Sequence, residues 1–391
     1  MLNRRAAPAA TTVRVVRNRW SDLESAPPED WAPRLTRTVC PVGPGSVVDA
    51  QAAAARSQAD LLVFVDHEHE PDQPTLDKLS WWQHVCHYAV SVASDVDPGG
   101  EDDWLTAYQR ESDQLNRAGY EAFRGAAAGA FVVARELFET AGGIDVTAGA
   151  DWQLDLAYRL AQRGAVFVAA TDTKVSRASA RTDTAALTDR IPLLPERRPD
   201  WRQSHAVPTL HVVVDCATAP DAAAATIDGV LDGEFRDLSI SVVGWTGATA
   251  PSDDPRLALH AAAQPSFPIP FRLELPAGCV LAPYSVRRML NRMRESQLGL
   301  YQALVEPNTD VAARSLAVRL MRSSAIERFR WLNVDDGVDD AIDEMFGSTW
   351  VDGQRFGLRH YADADRTAVH DPEDDDEPVI DDEDNDDDDD E

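Results

Sequence analysis

Residues 61–68 have the sequence LLVFVDHE, which is the clearest indication of the fold in this chain. Its apolar half, Leu61 to Val65, is typical of a strand that is buried on both faces. Asp66 and Glu68 follow at a spacing of two, which places both carboxylates on one side of an extended chain. In α/β sheets, ligands bind beyond the carboxyl ends of the strands. The stretch therefore predicts a hard-oxygen site for Mg²⁺ or Mn²⁺, with a diphosphate completing the coordination.

Length and charge limit the classes of protein to consider. A chain of 391 residues with 44% hydrophobic residues predicts two or three domains with substantial cores. The formal net charge is −30, but residues 371–391 hold 16 acidic and no basic residues, which leaves 51 acidic against 37 basic residues elsewhere. The absence of a basic patch in the sequence argues against a nucleic-acid partner.

The end of the chain, residues 363–391, is low-complexity and acidic, which predicts disorder. The simplest interpretation is a solvated tail that promotes solubility, and the alternative is a tail that binds a basic protein. The four cysteines lack CxxC spacing, which argues against zinc and a disulfide framework. Without a signal-type h-region or an apolar run that could span a membrane, we expect a soluble, cytoplasmic protein.

Alternating apolar segments and helical patterns predict mostly parallel sheets with flanking helices. We expect strands at 12–17, 35–42, 61–65, 127–134 and 165–170, and helices at 47–57, 74–92, 135–141 and 151–163. A proline-containing linker at 190–208 precedes a second α/β unit. That unit is predicted to have strands at 210–215 and 238–244 and helices at 221–231, 286–294 and 311–332.

Three blocks carry a resemblance to a known family. ADLLVFVDHEHEPDQPTL (59–76) is similar to the metal-motif strand of family 2 glycosyltransferases with the GT-A fold, which ends in Asp-x-Asp and is followed by Pro. AGAFVVARELFETAGGIDVTAGADWQLDLAYRLAQRG (128–164) resembles their acceptor-side block, including Gly-Gly-hydrophobic-Asp and Asp-Leu-x-x-Arg-Leu. LHVVVDCATAPDAAAATIDGVLDGEFRDLSISVVGW (210–245) resembles the start of the same family.

The resemblance implies an α/β chain of two tandem GT-A-like units. The first occupies 1–189 and lacks the family's first strand and helix; the linker covers 190–208; the second occupies 209–362; the acidic tail covers 363–391. In the second unit Pro276-Ala277-Gly278 stands where the metal-binding carboxylates belong, so we expect it to be degenerate.

The resemblance also implies a reaction: transfer of a sugar from a nucleotide-diphosphate donor, expected to be UDP-linked, to a carbohydrate or lipid-linked acceptor. Asp66 and Glu68 would bind Mn²⁺ or Mg²⁺, and Asp151 would act as the general base, with Asp155 as the second candidate. Both acids have structural alternatives, since Asp151 could cap a helix and Asp155 could pair with Arg159. The family further suggests cell-surface polysaccharide synthesis, with peripheral association to membrane-bound machinery.

Other interpretations stay open. One alternative is a catalytically inactive scaffold made of two damaged GT-A folds. Another is a nucleotidyltransferase, but such an enzyme would need a Gly-rich phosphate loop, which the sequence lacks. Trp81 and Trp82 could line an acceptor groove but are more typical of core residues. The segment 346–353, FGSTWVDG, could cover an active site, but a hairpin or an interdomain packing segment fits its composition better.

Overall fold

The predicted strand at 61–66 is part of a five-stranded sheet in the computed structural model. In that sheet, β2 (Leu61–Asp66) lies between the parallel strand β1 (Arg37–Val42) and the antiparallel strand β4 (Phe131–Ala134). On the far side of β4 are β3 (Ala89–Ala93), antiparallel to β4, and β5 (Val166–Ala170), parallel to β3. Helices α1 (Val47–Arg56), α2 (Gln73–Val85), α3 (Arg135–Thr140) and α4 (Trp152–Gln162) accompany the sheet.

The structure describes residues 35–42, 47–66, 71–93, 122–124, 130–170, 173, 187–194, 197, 203–217, 219–296, 298–307, 314–331 and 337–363. The predicted strand at 12–17, the position of Glu68 and the acidic tail beyond residue 363 lie outside these ranges.

A larger sheet forms the second half of the chain. Its strands are β6 (Leu210–Asp215), β7 (Leu238–Val243), β8 (Leu257–His260), β9 (Phe271–Pro276), β11 (Leu300–Val305), β12 (Leu316–Arg322) and β13 (Ser348–Asp352), in the order β13-β11-β12-β9-β6-β7-β8. The short strands β10 (Cys279–Leu281) and β14 (Leu358–His360) pair separately, and the helices are α5 (Ala223–Leu231), α6 (Ser285–Ser296), α7 (Ser323–Phe329) and α8 (Val338–Phe346). Across the two main sheets, six of the ten pairings between described strands are parallel, so the chain has the mixed α/β architecture with mostly parallel sheets that we predicted.

The two sheets repeat one arrangement. Read from β1, the first sheet has the order β1-β2-β4-β3-β5, and the second contains β6-β9-β12-β11-β13 with the same sequence of parallel and antiparallel pairings. In both, the third strand of this series passes directly into a helix, β4 into α3 and β12 into α7. The second sheet adds β7 and β8 beyond β6.

Local sequence explains where helices begin and end. The Asp72 carboxylate accepts a hydrogen bond from the Thr75 N–H at 2.9 Å, and a proline stands in the first turn of α2. At the other end of the unit, α4 stops before Gly164, whose φ of +84° belongs to the left-handed region that glycine adopts without strain.

Two predicted helices are wrong in part. The helix expected at 74–92 ends at Val85, and residues 89–93 form the buried strand β3 between β4 and β5. The helix expected at 311–332 contains strand β12, which lies between β11 and β9 before α7 begins. In both places the sheet pairing, which joins residues far apart in sequence, overrides the local helical pattern.

The two halves are joined by buried contacts. The Arg328 side chain of α7 is fully buried and donates hydrogen bonds to the carbonyls of Gly164 and Ala165, each at 2.9 Å. The Tyr158 hydroxyl of α4 donates to the Pro268 carbonyl at 2.6 Å. Ile191 and Leu194 of the segment expected to be a linker are buried in the first core, so this segment packs against the protein.

No helix in the described ranges is both long enough and apolar enough to cross a membrane.

Candidate functional site

The candidate site lies at the carboxyl edge of the first sheet. Because β1, β2, β3 and β5 run in one direction, their carboxyl ends meet at this edge, where β4 begins. The last residues of β1 and β2, Val42 and Asp66, are register partners. The Ala93 N–H donates to the Ala130 carbonyl at 2.8 Å, which fixes the end of β3 beside the start of β4. Asp66 is therefore placed where α/β sheets bind their ligands, as its sequence position predicted.

An aromatic cluster brings α4 to this edge. The Phe64 ring lies 5.0 Å from that of Phe131, 5.5 Å from Phe138 and 5.7 Å from Trp152, measured between centroids. Phe64 lies two residues before Asp66, so both residues belong to the same face of β2. Trp152 directly follows Asp151 in the sequence. The packing of Phe64 on Trp152 thus brings Asp151 to the end of the sheet at which β2 terminates.

Asp151 stands at the start of α4. Its backbone has φ −93° and ψ 14°, and its side chain makes no capping hydrogen bond to the helix. The preceding turn, Val146–Asp151, contains Gly149 with φ +62° and ψ −130°, a conformation suited to glycine. Among the described residues, no atom lies within 4 Å of the position that a Cβ at Gly149 would take.

Asp155 is in a different situation, one helical turn further on. The residue is 4% exposed, and its Oδ2 accepts hydrogen bonds from Arg159 Nε at 3.0 Å and Nη2 at 2.7 Å. Its other oxygen lies 3.7 Å from Arg190 Nη1. The carboxylate is held by two guanidinium groups, which favours a structural role for Asp155.

Arg159 links this ion pair to the Gly-Gly turn that follows α3. Its Nη1 donates to the carbonyls of Ala141 at 2.5 Å and Gly143 at 2.7 Å. From the other side, the Gln51 Oε1 of α1 accepts a hydrogen bond from the Ile144 N–H at 2.8 Å. The turn is therefore fixed by α1 and α4 together. The i, i+4 spacing pointed to the Asp155–Arg159 pair, whereas no sequence signal pointed to Gln51.

Arg190 was also missed by sequence reasoning. Besides approaching Asp155, it forms an ion pair with Asp145 and lies 3.0 Å from the Thr147 hydroxyl. The Thr147 hydroxyl and N–H and the Arg190 guanidinium lower the pKa of Asp145 from 3.8 to about 2. This network holds residues 145–147 at the entrance to the turn that carries Asp151.

The metal prediction rests on Asp66 and Glu68, and only the backbone position of Asp66 is described. Within the described ranges, no group of three or more His, Cys, Asp or Glu side chains is arranged to hold a metal ion. Two carboxylates are the hard oxygen donors that Mg²⁺ and Mn²⁺ prefer, and a diphosphate would supply further oxygen ligands. Trp81 and Trp82 are buried in the first core, as the more conservative interpretation expected.

The same edge of the second sheet is closed. β9 ends at Pro276, the Ala277 N–H donates to the Asp215 carbonyl at 2.8 Å, and the Gly278 N–H donates to the Thr226 hydroxyl at 2.9 Å. Gly278 has φ +100°, and a Cβ there would lie 2.8 Å from Cδ1 of Tyr361. Backbone and an aromatic ring thus fill the place that corresponds to the end of β2.

Comparisons with known proteins give limited matches. No protein-family model matches the chain, and no curated protein matches it in sequence. Among solved structures, the mannosyltransferase PcManGT from Pyrobaculum calidifontis, in complex with GDP-Man and Mn²⁺, is 14% identical, with a TM-score of 0.29 over 37% of this chain and 55% of that one. S. aureus TarS 1–349 is 8% identical, with a TM-score of 0.28 over 37% of this chain and 58% of that one. The chain spans little more than half the length of either structure.

Proposed function

We propose that the chain is a glycosyltransferase that moves a sugar from a nucleotide-diphosphate donor, expected to be a UDP-sugar, to a carbohydrate or glycolipid acceptor. The observation that carries this proposal is the packing of Phe64 on Trp152, with ring centroids 5.7 Å apart, which brings the start of α4 to the carboxyl end of β2. Asp66 and Asp151 are the acids that flank this contact in sequence. The two sequence blocks that resemble family 2 glycosyltransferases supply these same two residues.

In this proposal, Asp66 and Glu68 hold a divalent cation, Mn²⁺ or Mg²⁺, against the donor diphosphate. The cation supplies Lewis-acid stabilisation of the charge that develops on the leaving nucleotide diphosphate. The support for this role is the position of Asp66 as the last residue of β2, at the carboxyl edge of the first sheet.

Asp151 takes the proton of the acceptor hydroxyl. As the acceptor oxygen forms its bond to the anomeric carbon, the bond between that carbon and the diphosphate oxygen breaks, and the proton moves to the Asp151 carboxylate. Asp155, the second candidate, is held by Arg159 and Arg190 and is proposed instead to position the start of α4.

We further propose that residues 1–189 and 209–362 are two GT-A-like units, joined by 190–208 and followed by the tail 363–391. The shared strand order and strand directions of the two sheets support this division. The suggested biological role, cell-surface polysaccharide or glycolipid synthesis with membrane-bound machinery, rests on the family resemblance alone. A basic protein partner for the tail is likewise suggested only by its charge.

A scaffold without catalysis is the second candidate function. It is favoured by the closed edge of the second sheet, where Pro276, Ala277 and Gly278 stand in place of carboxylates and the Gly278 carbonyl accepts a hydrogen bond from the Tyr361 N–H at 2.8 Å. If the first unit had lost its activity as well, both units would serve only to bind partners.

Calorimetry on the full chain separates the two functions. We would titrate UDP, UDP-glucose, UDP-galactose and UDP-N-acetylglucosamine, with GDP-mannose as a second donor class, with and without Mn²⁺. Metal-dependent binding that is lost in Asp66→Ala/Glu68→Ala and retained in Pro276→Ala supports the glycosyltransferase. If the folded protein binds none of these nucleotides, it has no functional donor site, and the scaffold is favoured.

A further inference from the structure

The C-terminal end of α4 is held by side chains from the second half of the chain. Three successive carbonyls follow this helix, and each accepts a hydrogen bond from a residue in α7 or just after it. The Trp331 indole N–H donates to the Arg163 carbonyl at 2.7 Å. The Arg328 guanidinium donates to the carbonyls of Gly164 and Ala165, each at 2.9 Å. The second half thus supplies donors that an isolated helix end would have to find in water.

The contact at this end of α4 is close and charged. A Cβ at Gly164 would lie 2.5 Å from the backbone nitrogen of Arg328, so the backbone of α7 directly touches the turn that ends α4. The buried Arg328 cation also stabilises the helix, because the carbonyls at a helix C-terminus carry partial negative charge. Arg163 pairs with Glu327 at 3.1 Å, and its guanidinium carbon lies 3.6 Å from the centre of the Phe267 ring. The end of α4 is therefore tied to the second half by several kinds of contact.

A further contact lies in the middle of the helix. The Tyr158 hydroxyl donates to the carbonyl of Pro268, which belongs to the segment between β8 and β9, at 2.6 Å. The ring of Tyr158 is buried and packs edge-on against Phe123, with ring centroids 5.6 Å apart. One side chain of α4 is thus anchored in the first half and bonded to the second.

The N-terminal end of the same helix carries the proposed base. Asp151 directly precedes α4, and Trp152 packs on Phe64 near the end of β2. A helix of 11 residues is about 16 Å long, and its backbone hydrogen bonds make it stiff. A shift of its C-terminal end therefore also shifts Asp151, and a misplacement of about 1 Å can slow a reaction about 100-fold.

We propose that the second half of the chain is a clamp that positions α4, and that Tyr158, Arg328 and Trp331 are positioning residues for Asp151. The inference rests on the proposed role of Asp151 as the general base. It gives the second half a task although the carboxyl edge of its own sheet is closed. The three residues act through the placement of α4 and not on the substrate.

The test uses Tyr158→Phe and Trp331→Phe in the full chain, because each removes one donor between the halves and keeps an aromatic ring. Thr226→Val is the matched control, since it removes a buried hydrogen bond of 2.9 Å, to the Gly278 N–H, within the second half. We expect both contact variants to lower kcat about 10-fold while the donor KM stays unchanged. Thr226→Val should keep the wild-type kcat.

A second comparison separates positioning from a general structural role. In the Asp151→Asn background, Tyr158→Phe and Trp331→Phe should lower kcat no further, because they act through the carboxylate that is already absent. Losses of kcat that multiply in this background would overturn the inference. An unchanged kcat in both contact variants would overturn it as well.

Hydrogen exchange followed by mass spectrometry tests the clamp without any activity. Amides of residues 146–157, at the site end of α4, should exchange faster in both contact variants than in the wild type or in the control. Faster exchange confined to residues 158–166 would show a merely local role and overturn the inference. A wild type that neither binds a donor nor transfers sugar would refute the proposed function, whereas the exchange result would still decide whether the second half holds α4.

Discussion

The two sheets of this protein share a strand order but differ at their carboxyl edges. In the first, β2 ends at Asp66, and in the turn that leads to Asp151 no described atom lies within 4 Å of a Cβ built at Gly149. In the second, the corresponding strand β9 ends at Pro276, and the following residues fold back against Tyr361. Equivalent backbone frames therefore end in different residues. β2 ends in the carboxylate residue Asp66, whereas β9 ends in Pro276, which is followed by backbone and an aromatic ring.

Two sheets with the same strand order can therefore differ in the chemical groups that stand at their carboxyl edges. A sheet edge becomes a site only when the residues just after its strands supply suitable groups and leave space for a ligand. Here a few positions, Asp66 and Asp151 against Pro276 and Gly278, distinguish the two edges. Substitutions at these positions are the direct way to test the comparison.

The largest effect is expected at Asp66. If it holds the metal, Asp66→Ala should lower kcat/KM for sugar transfer about 10⁴-fold, because the leaving diphosphate loses its cation. Metal-dependent donor binding should disappear in calorimetry. Pro276→Ala, at the matching position of the second sheet, should change neither quantity, and a comparable loss there would contradict the assignment of the donor site to the first edge.

Next in size is the effect at Asp151. Asp151→Asn should lower kcat about 10³-fold, as expected for loss of a general base, while donor affinity and melting temperature stay near those of the wild type. The measurement is steady-state kinetics over a range of pH, in which the variant should lose the acidic limb of the rate profile. Asp340→Asn, in the first turn of α8 of the second unit, is the control. An unchanged kcat in Asp151→Asn would remove this residue from the mechanism.

The closed edge is tested by stability. Gly278→Ala should lower the free energy of unfolding by about 2 kcal/mol, because φ is +100° and the added Cβ meets Tyr361. In a double-mutant cycle followed by urea denaturation, Tyr361→Ala should recover about 1 kcal/mol of this loss. At Gly149 the added Cβ has no described atom within 4 Å. The changes in the free energy of unfolding caused by Gly149→Ala and Tyr361→Ala should therefore be additive. Additivity at both glycines would mean that Tyr361 does not close the edge.

The smallest effect concerns pH and Asp145. Its pKa is lowered from 3.8 to about 2 in the folded protein by hydrogen bonds from Thr147 and by the Arg190 guanidinium, so the stabilisation is present above about pH 4 and is lost as the pH falls toward 2. Asp145→Asn should therefore reduce stability at pH 7 by more than at pH 3, as measured by chemical denaturation. The exposed Asp228→Asn serves as the reference, and a difference that does not depend on pH would refute the linkage.

Sequence reasoning predicted the elements whose signals are local. The apolar runs before Asp66 and Asp215 predicted β2 and β6, and the amphipathic stretch closed by Gly164 predicted α4. It failed for β3 and β12, which were assigned to helices. Both are inner strands between neighbours distant in sequence, so their pairing partners, rather than their own residues, decide their conformation.

Local sequence patterns are enough to assign the α/β class, the Asp66-x-Glu68 pair that follows an apolar run, and the acids Asp151 and Asp155 four residues apart. The packing of the fold adds contacts that these patterns do not contain. It pairs Asp155 with Arg159 and Arg190, brings Asp151 toward the end of β2 through Trp152, and joins Arg328 to the carbonyls that follow α4. The physical reason is that spacing along the chain fixes neighbours within one helix or strand, whereas contacts between elements depend on sheet order and side-chain packing.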